Sequence, residues 1–357
     1  PELSATDGVE DALQQLGKHL GEVAKLDAQV REPLTRWTWL TQLAPCVKDI
    51  DDTLIALIGA LSLFLLPVNA RQNVFALDWK TAESIPWGVL LLFGGGFSLA
   101  AAMTLGLKPG DRLAAQIDKS PEALAVYAAC TQTGVVFLPL NTGYTATELD
   151  YFIGNSGAKL MLATDRTAEA LTPVAASYGA TLKTLNADGT GSFADLASDQ
   201  PETFKTAPRV ADDLAAFLYT SGTTGRSKGA MLTQDNLLSN ARTLADYWRF
   251  TDKDVLLHAL PIFHIHGLFV ACHCVLLSGA CMRFLPRFDV ESVIDQLPHS
   301  TVFMGVPTYY VRLLADPRLD HERCRNMRLF TSGSAPLLEQ TFEEFRERTG
   351  HTILERY

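Results

Sequence analysis

From about residue 104 onward, short apolar runs alternate with longer amphipathic ones. DRLAAQI (111–117), VVFLPLN (135–141) and AKLMLATD (158–165) are apolar nearly throughout and have the length of strands. The same holds for LAAFLYTS (214–221), VLLHALP (255–261), CMRFLP (281–286), STVFMGVP (300–307) and MRLFTSG (327–333). Between them, PEALAVYAACTQTG (121–134), TATELDYFIGNSG (145–157), DNLLSNARTLADYWR (235–249), DVESVIDQL (289–297) and LLEQTFEEFRERTG (337–350) read as helices. Strands that are apolar on both faces and alternate with helices predict parallel sheets covered on both sides, an α/β fold. Ligands in such folds sit beyond the carboxyl ends of the strands. The stretch 187–210 (ADGTGSFADLASDQPETFKTAPRV) is the most loop-like.

The pattern before residue 104 is different. Residues 1–30 are a polar, helical lead-in. Thr53–Ala70 runs 18 residues without a charge, and Ser84–Leu107 runs 24. Both approach or exceed the length that spans a bilayer core as a helix, so two transmembrane helices and a membrane contact through residues 53–107 are expected. Two buried helices of a soluble protein are the alternative. The triple glycine Gly94-Gly95-Gly96 breaks such a helix or packs it closely.

Length and charge narrow the classes. The chain of 357 residues is long enough for two domains. A formal net charge of −10 without a long basic run disfavours a nucleic-acid partner. The six cysteines, Cys46, Cys130, Cys272, Cys274, Cys281 and Cys324, form no CxxC pair and fit a reducing compartment. Cys272-His273-Cys274 lies in the apolar run GLFVACHCVLL and reads as buried helix rather than a metal site. The polar first 50 residues carry no recognisable cleavable leader.

The densest chemistry lies in YTSGTTGRSKGAM, Tyr219–Met231. Gly222, Gly225 and Gly229 free backbone amides to face phosphate oxygens. Ser221, Thr223 and Thr224 add hydroxyl donors, and Lys228 adds a point charge. The loop follows an apolar strand, where α/β folds place ligands. It is not a Walker loop, because the residue five after Gly222 is Ser227 and the residue after Lys228 is Gly229.

YTSGTTGRSKGAM closely resembles the phosphate-binding signature of the adenylate-forming superfamily, which includes acyl-CoA synthetases and luciferases; Ser227 stands where many members have proline. LPIFHIHGL (260–268) resembles the segment carrying an aromatic or histidine gate at the acyl pocket, and GVPTYY (305–310) a pocket wall. TSGSAPL (331–337) resembles the adenine-binding loop, and ERY (355–357) the start of a Tyr-Gly-x-Thr-Glu segment. The resemblance runs from about Gly106 to Tyr357 and implies an adenylation domain over 104–357. It implies that ATP is held by Thr220, Ser221, Gly222, Thr223, Thr224, Gly225, Lys228, Ser332, Gly333, Ser334, Ala335, Pro336 and Tyr357. Catalytic roles fall to Thr220, Lys228 and His264, with Mg²⁺ at Thr220. The implied reaction has two halves: a carboxylate attacks the ATP α-phosphate, releasing pyrophosphate, and coenzyme A then displaces AMP from the acyl-adenylate.

A short diacid needs a cation for its second carboxylate. Arg283 and Arg287 lie just beyond the gate motif and are the candidates, with surface arginine the alternative for each. His264, His266, Met304 and Gly305 complete the expected substrate site. The stretch as a whole is most similar to malonyl-CoA synthetases, which implies malonate or a close analogue as substrate and a cytoplasmic ligase. Gln234 replaces the histidine usual in LTHxN, at an expected helix start.

Residues 30–103 resemble part of a sodium-coupled dicarboxylate symporter, without that family's Ser-Asn-Thr signatures. The junction near residue 103 reads as a join between two incomplete coding units rather than a bifunctional protein. The resemblance places a Mg²⁺-associated Glu and a small C-terminal domain with an adenylation lysine beyond Tyr357. Low ligase activity from this chain alone is therefore expected. A membrane-tethered transporter relative and a non-catalytic nucleotide-binding module are the other function classes.

Overall fold

The computed structural model describes residues 106–198, 200, 205–220 and 227–356, with Ala100 and two short strands before them. The chain divides into two compact units, Pro1–Ile85 and Pro86–Tyr357. In the first, β1 (Pro67–Asn69) pairs antiparallel with β2 (Val74–Phe75). The expected membrane helices and the symporter-like segment fall almost wholly outside the described residues. Among the described residues no helix is long and apolar enough to cross a membrane.

The second unit contains two sheets. One has the order β6-β5-β3-β4-β7-β8. Its strands are β3 (Arg112–Gln116), β4 (Val136–Pro139), β5 (Leu160–Ala163), β6 (Thr181–Thr184), β7 (Leu214–Thr220) and β8 (Lys228–Thr233). All pairs are parallel except β7 with β8, which is an antiparallel hairpin. The other sheet is parallel throughout, in the order β10-β9-β11-β12-β13. Its strands are β9 (Val255–His258), β10 (Cys281–Phe284), β11 (Val302–Gly305), β12 (Leu329–Gly333) and β13 (Ile353–Arg356).

Helices begin and end where the side chains dictate. In α1 (Pro121–Thr133), Ser120 accepts from the Ala123 amide, Pro121 opens the first turn and Gly134 closes the last at φ 72°. In α2 (Ala146–Ser156), Thr145 and Glu148 form a capping box and Gly157 ends the helix, and α3 (Asp165–Ser177) follows β5. Thr233 and Asn236 form another at α5 (Gln234–Tyr247), so Gln234 is indeed a helix-start residue. The stretch expected to be loop contains α4 (Ser192–Ser198). Phe193 and Ala197, four residues apart, bury one helical face there, a signal too short to outweigh the glycines around it.

The apolar strands pack as their sequences require. Val302, Phe303, Met304 and Gly305 of β11 are all buried. One cluster joins the two sheets: Leu113 and Phe137 from the first pack with Ile262, Leu268, Phe269 and Cys272 from the segment that follows β9. That segment is the predicted buried helix, and it opens as a π-helix, His266–Cys272, before continuing as α6 (His273–Ser278). π-turns of this kind frequently mark functional positions.

Candidate functional site

The glycine- and hydroxyl-rich stretch lies in sequence between β7 and β8, which pair antiparallel. Thr220 and Lys228 are aligned partners at the mouth, and Thr220 Oγ1 donates to the Lys228 carbonyl at 3.4 Å. Both residues are exposed. Ser221, Gly222, Thr223, Thr224 and Gly225, between them, lie outside the described residues. The root of the hairpin is tightly held. Tyr151 of α2 donates its hydroxyl to the Ser227 carbonyl at 2.9 Å, and Tyr219 donates to Asn155 Oδ1 at 2.7 Å. Phe152 packs on Tyr219 with ring centroids 4.4 Å apart. A Cβ on Gly229 would lie 2.2 Å from Cε1 of Phe217, so only glycine fits beneath that ring.

A second group forms at the carboxyl edge of the five-stranded sheet. Strand register aligns Met304 with Thr331, Gly305 with Ser332, and Gly333 with Arg356. His266 is 2% exposed and packs against this edge: a Cβ on Gly333 would come within 3.1 Å of its Cε1. Among the described residues, both ring nitrogens of His266, Thr331 Oγ1 and Ser332 Oγ are buried without a hydrogen-bond partner. Buried polar groups are nearly always paired, so these unsatisfied atoms mark polar positions at the carboxyl end of β12 and on the π-helix. Burial, then the charge of Arg356 and the proximity of His264, lower the His266 pKa to about 4, so the ring is neutral. The neutral ring keeps one acceptor nitrogen and one N–H donor for a ligand.

Beyond the edge, Ser334 takes φ 70°, a left-handed conformation uncommon for serine, and turns the chain out of β12. Ser334 and Pro336 are exposed and Ala335 is half-buried. Glu355 Oε2 accepts from the Leu337 amide at 2.9 Å and ties the end of this loop to β13. Tyr357 lies outside the described residues. His264 is exposed, two residues before His266, whose amide donates to His264 Nδ1 at 3.4 Å. The structure therefore brings the expected acyl-site residues His264, His266, Met304 and Gly305 together with Ser332 and Gly333 of the expected nucleotide loop.

The two arginines differ. Arg283 donates from Nε to the His299 carbonyl at 3.0 Å and from Nη1 to Gln296 Oε1 at 2.7 Å, along the edge strand β10. Arg287 is exposed, makes no hydrogen bond among the described residues, and helps hold the Asp289 carboxyl below its usual range after the backbone and side chain of Ser292. Cys272 and Cys274 are buried in the helix, and His273 Nε2 lies 2.7 Å from the Tyr127 hydroxyl. No cluster of potential metal ligands occurs among the described residues.

Tyr151 and Glu355 carry the motif loops yet pass unnoticed in the sequence. Tyr151 lies 76 residues from Ser227, with no local pattern to connect them. Glu355 is the first residue of the ERY motif, which is the one signal that points to it.

Two sheets of mainly parallel strands, and partnerless polar atoms at a carboxyl edge among the described residues, define a class of ligand-binding α/β domain. The chain belongs to the AMP-binding enzyme family, whose model matches residues 97–357. It is 32% identical over 274 residues to a malonate–CoA ligase of Arabidopsis thaliana, covering 71% of this chain and 45% of that protein. It is 33% identical over 245 residues to a feruloyl-CoA synthase of an Amycolatopsis species, covering 68% of this chain and 48% of that protein. Among solved structures, it superposes on ATP-bound MatB from Rhodopseudomonas palustris with a TM-score of 0.73 at 53% identity, covering 75% of this chain and 53% of the other. The chain thus spans about half the length of these relatives.

Proposed function

We propose that residues 104–357 form the adenylation domain of an ATP-dependent acid–CoA ligase acting on a short dicarboxylate such as malonate. The observation that carries this reading is the close approach of His266 to Gly333, which brings the expected acyl segment against the expected nucleotide strand. The malonate–CoA ligase among the relatives supports the substrate class. ATP, Mg²⁺ and coenzyme A are the co-substrates and cofactor in this reading. Among the described residues the cysteines are unpaired and mostly buried, which supports a reducing compartment.

The residues divide the work. Residues 220–228 would hold the terminal phosphates, with the Lys228 ammonium offsetting their charge and the Thr220 hydroxyl available to Mg²⁺, which would neutralise phosphate charge. Ser332, Gly333, Ser334, Ala335 and Pro336 line the adenine side. His264 and His266 orient the acid, whose carboxylate oxygen attacks the α-phosphorus as pyrophosphate leaves. The thiolate of coenzyme A then attacks the acyl carbon and AMP leaves. Catalysis of the first half rests on positioning and charge neutralisation. Of the two arginines, Arg287 has the free guanidinium for a distal carboxylate.

The test is ATP–pyrophosphate exchange with a panel of carboxylic acids, in the whole protein that carries this chain. Malonate is expected to lead the panel, Arg287→Ala to lose at least tenfold in kcat/KM for malonate over acetate, and Arg283→Ala to lose less. Unchanged malonate selectivity in both variants refutes the diacid assignment, and ATP binding without acid-dependent exchange refutes the ligase assignment.

A further inference from the structure

A buried polar chain connects the two sheets behind the His264–His266 segment. Lys119, in the loop between β3 and α1, reaches across to β9. Its Nζ lies 2.8 Å from His258 Nδ1, 2.9 Å from the His258 carbonyl and 4.3 Å from the centroid of the Phe284 ring. His258, 1% exposed, continues the chain: its Nε2 lies 2.8 Å from the Gly267 carbonyl. A carbonyl only accepts, so Nε2 carries the proton, and Nδ1 of the neutral ring accepts from Lys119. Gly267 lies close against the preceding turn, since a Cβ there would lie 2.0 Å from the Pro261 carbonyl oxygen. The segment 261–267 thus folds back on itself and is held at Gly267 by His258.

We propose that Lys119 and His258 are positioning residues that clasp the opening turn of the π-helix and so set His264 and His266 for the acyl substrate. This role rests on the ligase reading. Packing alone explains Lys119 poorly. Among the described residues no carboxylate pairs with it, and burial lowers its pKa to about 7, the nearby Cys272 raising it slightly. The titratable groups facing the pair are Cys272, with Sγ 3.5 Å from His258 Nε2, and His266 on the same helix. Because the folded pKa lies below the ordinary 10.5, stability is fully present above that value and falls as pH drops through about 7. A lysine with no carboxylate partner among the described residues, hydrogen-bonded through a histidine to the segment that bears the site, indicates a use beyond stability.

The experiment compares wild type with Lys119→Met, His258→Ala and His258→Gln. Lys119→Met is expected to keep or raise the melting temperature at pH 6, yet to speed amide exchange across 264–272 about tenfold. Its KM for the acid is expected to rise about tenfold while the KM for ATP stays within twofold. His258→Gln, whose amide can donate to Gly267, is expected to retain more protection of 264–272 than His258→Ala. Unchanged exchange in Lys119→Met overturns the clasp, as does faster exchange spread evenly over both sheets with a lower melting temperature. If wild type shows no acid-dependent turnover, the ligase reading fails and amide exchange alone decides the clasp.

Discussion

Replacing Gly229 by alanine tests whether the hairpin root, and not the glycine's flexibility, fixes the geometry of the phosphate-loop candidate. Gly229 pairs with Tyr219, and the Phe217 ring lies across it from the same strand. The added Cβ would sit 2.2 Å from Cε1 and 2.4 Å from Cζ of that ring. Carbon atoms rest about 3.5–4.0 Å apart, so the ring must move by more than 1 Å. Phe217 packs against Tyr219 with centroids 5.3 Å apart, and Tyr219 is fixed by Asn155, so the movement is resisted. Overpacking of this kind costs about 1–3 kcal/mol. Amide exchange reads the cost locally: at about 1.4 kcal/mol per tenfold, β7 and β8 should exchange roughly 5- to 140-fold faster, with β11 and β12 unchanged. Adding Phe217→Ala should restore protection in a double-mutant cycle, with a coupling energy of about 1 kcal/mol or more. Unaltered exchange in Gly229→Ala would show that the ring yields freely and that this contact does not require glycine.

Two further perturbations probe the second sheet. Arg328 donates from Nε to Asp254 Oδ1 at 2.6 Å and from Nη2 to Oδ2 at 2.7 Å, and Asp254 is 3% exposed. Arg328→Met should therefore cost about 3 kcal/mol, the low end for stranding a buried charge because the guanidinium is partly exposed; Arg328→Met with Asp254→Asn should recover part of the loss, read from denaturant midpoints. Burial lowers the pKa of His258 to about 3 and those of His266 and His273 to about 4. Unfolded histidines titrate near 6.5, so the unfolded chain binds more protons between about 4 and 6.5 and stability should fall as pH is lowered through that window. His266→Asn should reduce proton uptake on unfolding near pH 5 by about one, and an unchanged slope of stability against pH would contradict the neutral, buried ring.

The alternation of apolar strands and helices made the sheets legible because parallel strands are buried on both faces. β3, β4, β5, β9, β11 and β12 all appear where such runs occur. β6 and β8 escape the same rule. Both are edge strands, and TLKT and KGAMLT have exposed positions that break the apolar run. β8 also runs against the rest, since a hairpin returns the chain directly and needs no crossover helix. The π-turn at 266–272 leaves no mark in an apolar stretch that any buried helix would share.

The site was legible where sterics and chemistry demand the same residue. β11 and β12 read as apolar runs ending in Gly305 and in Ser332-Gly333, because the strand edge must be both small and polar. A Cβ on Gly305 would lie 3.1 Å from Phe303, and one on Gly333 would meet His266 and the Arg356 carbonyl, each at 3.1 Å. Small residues let the chain approach closely, and the serine supplies the polar atom. What escaped notice depends on partners distant in sequence. Tyr151 reaches Ser227 across 76 positions and Lys119 reaches His258 across 139. A lone tyrosine in a helix or a lysine before a helix cap has many ordinary explanations, and only the packing of one sheet on the other separates them. The motifs therefore supply the groups that meet a ligand, while their placement rests on residues whose roles are set by the tertiary fold.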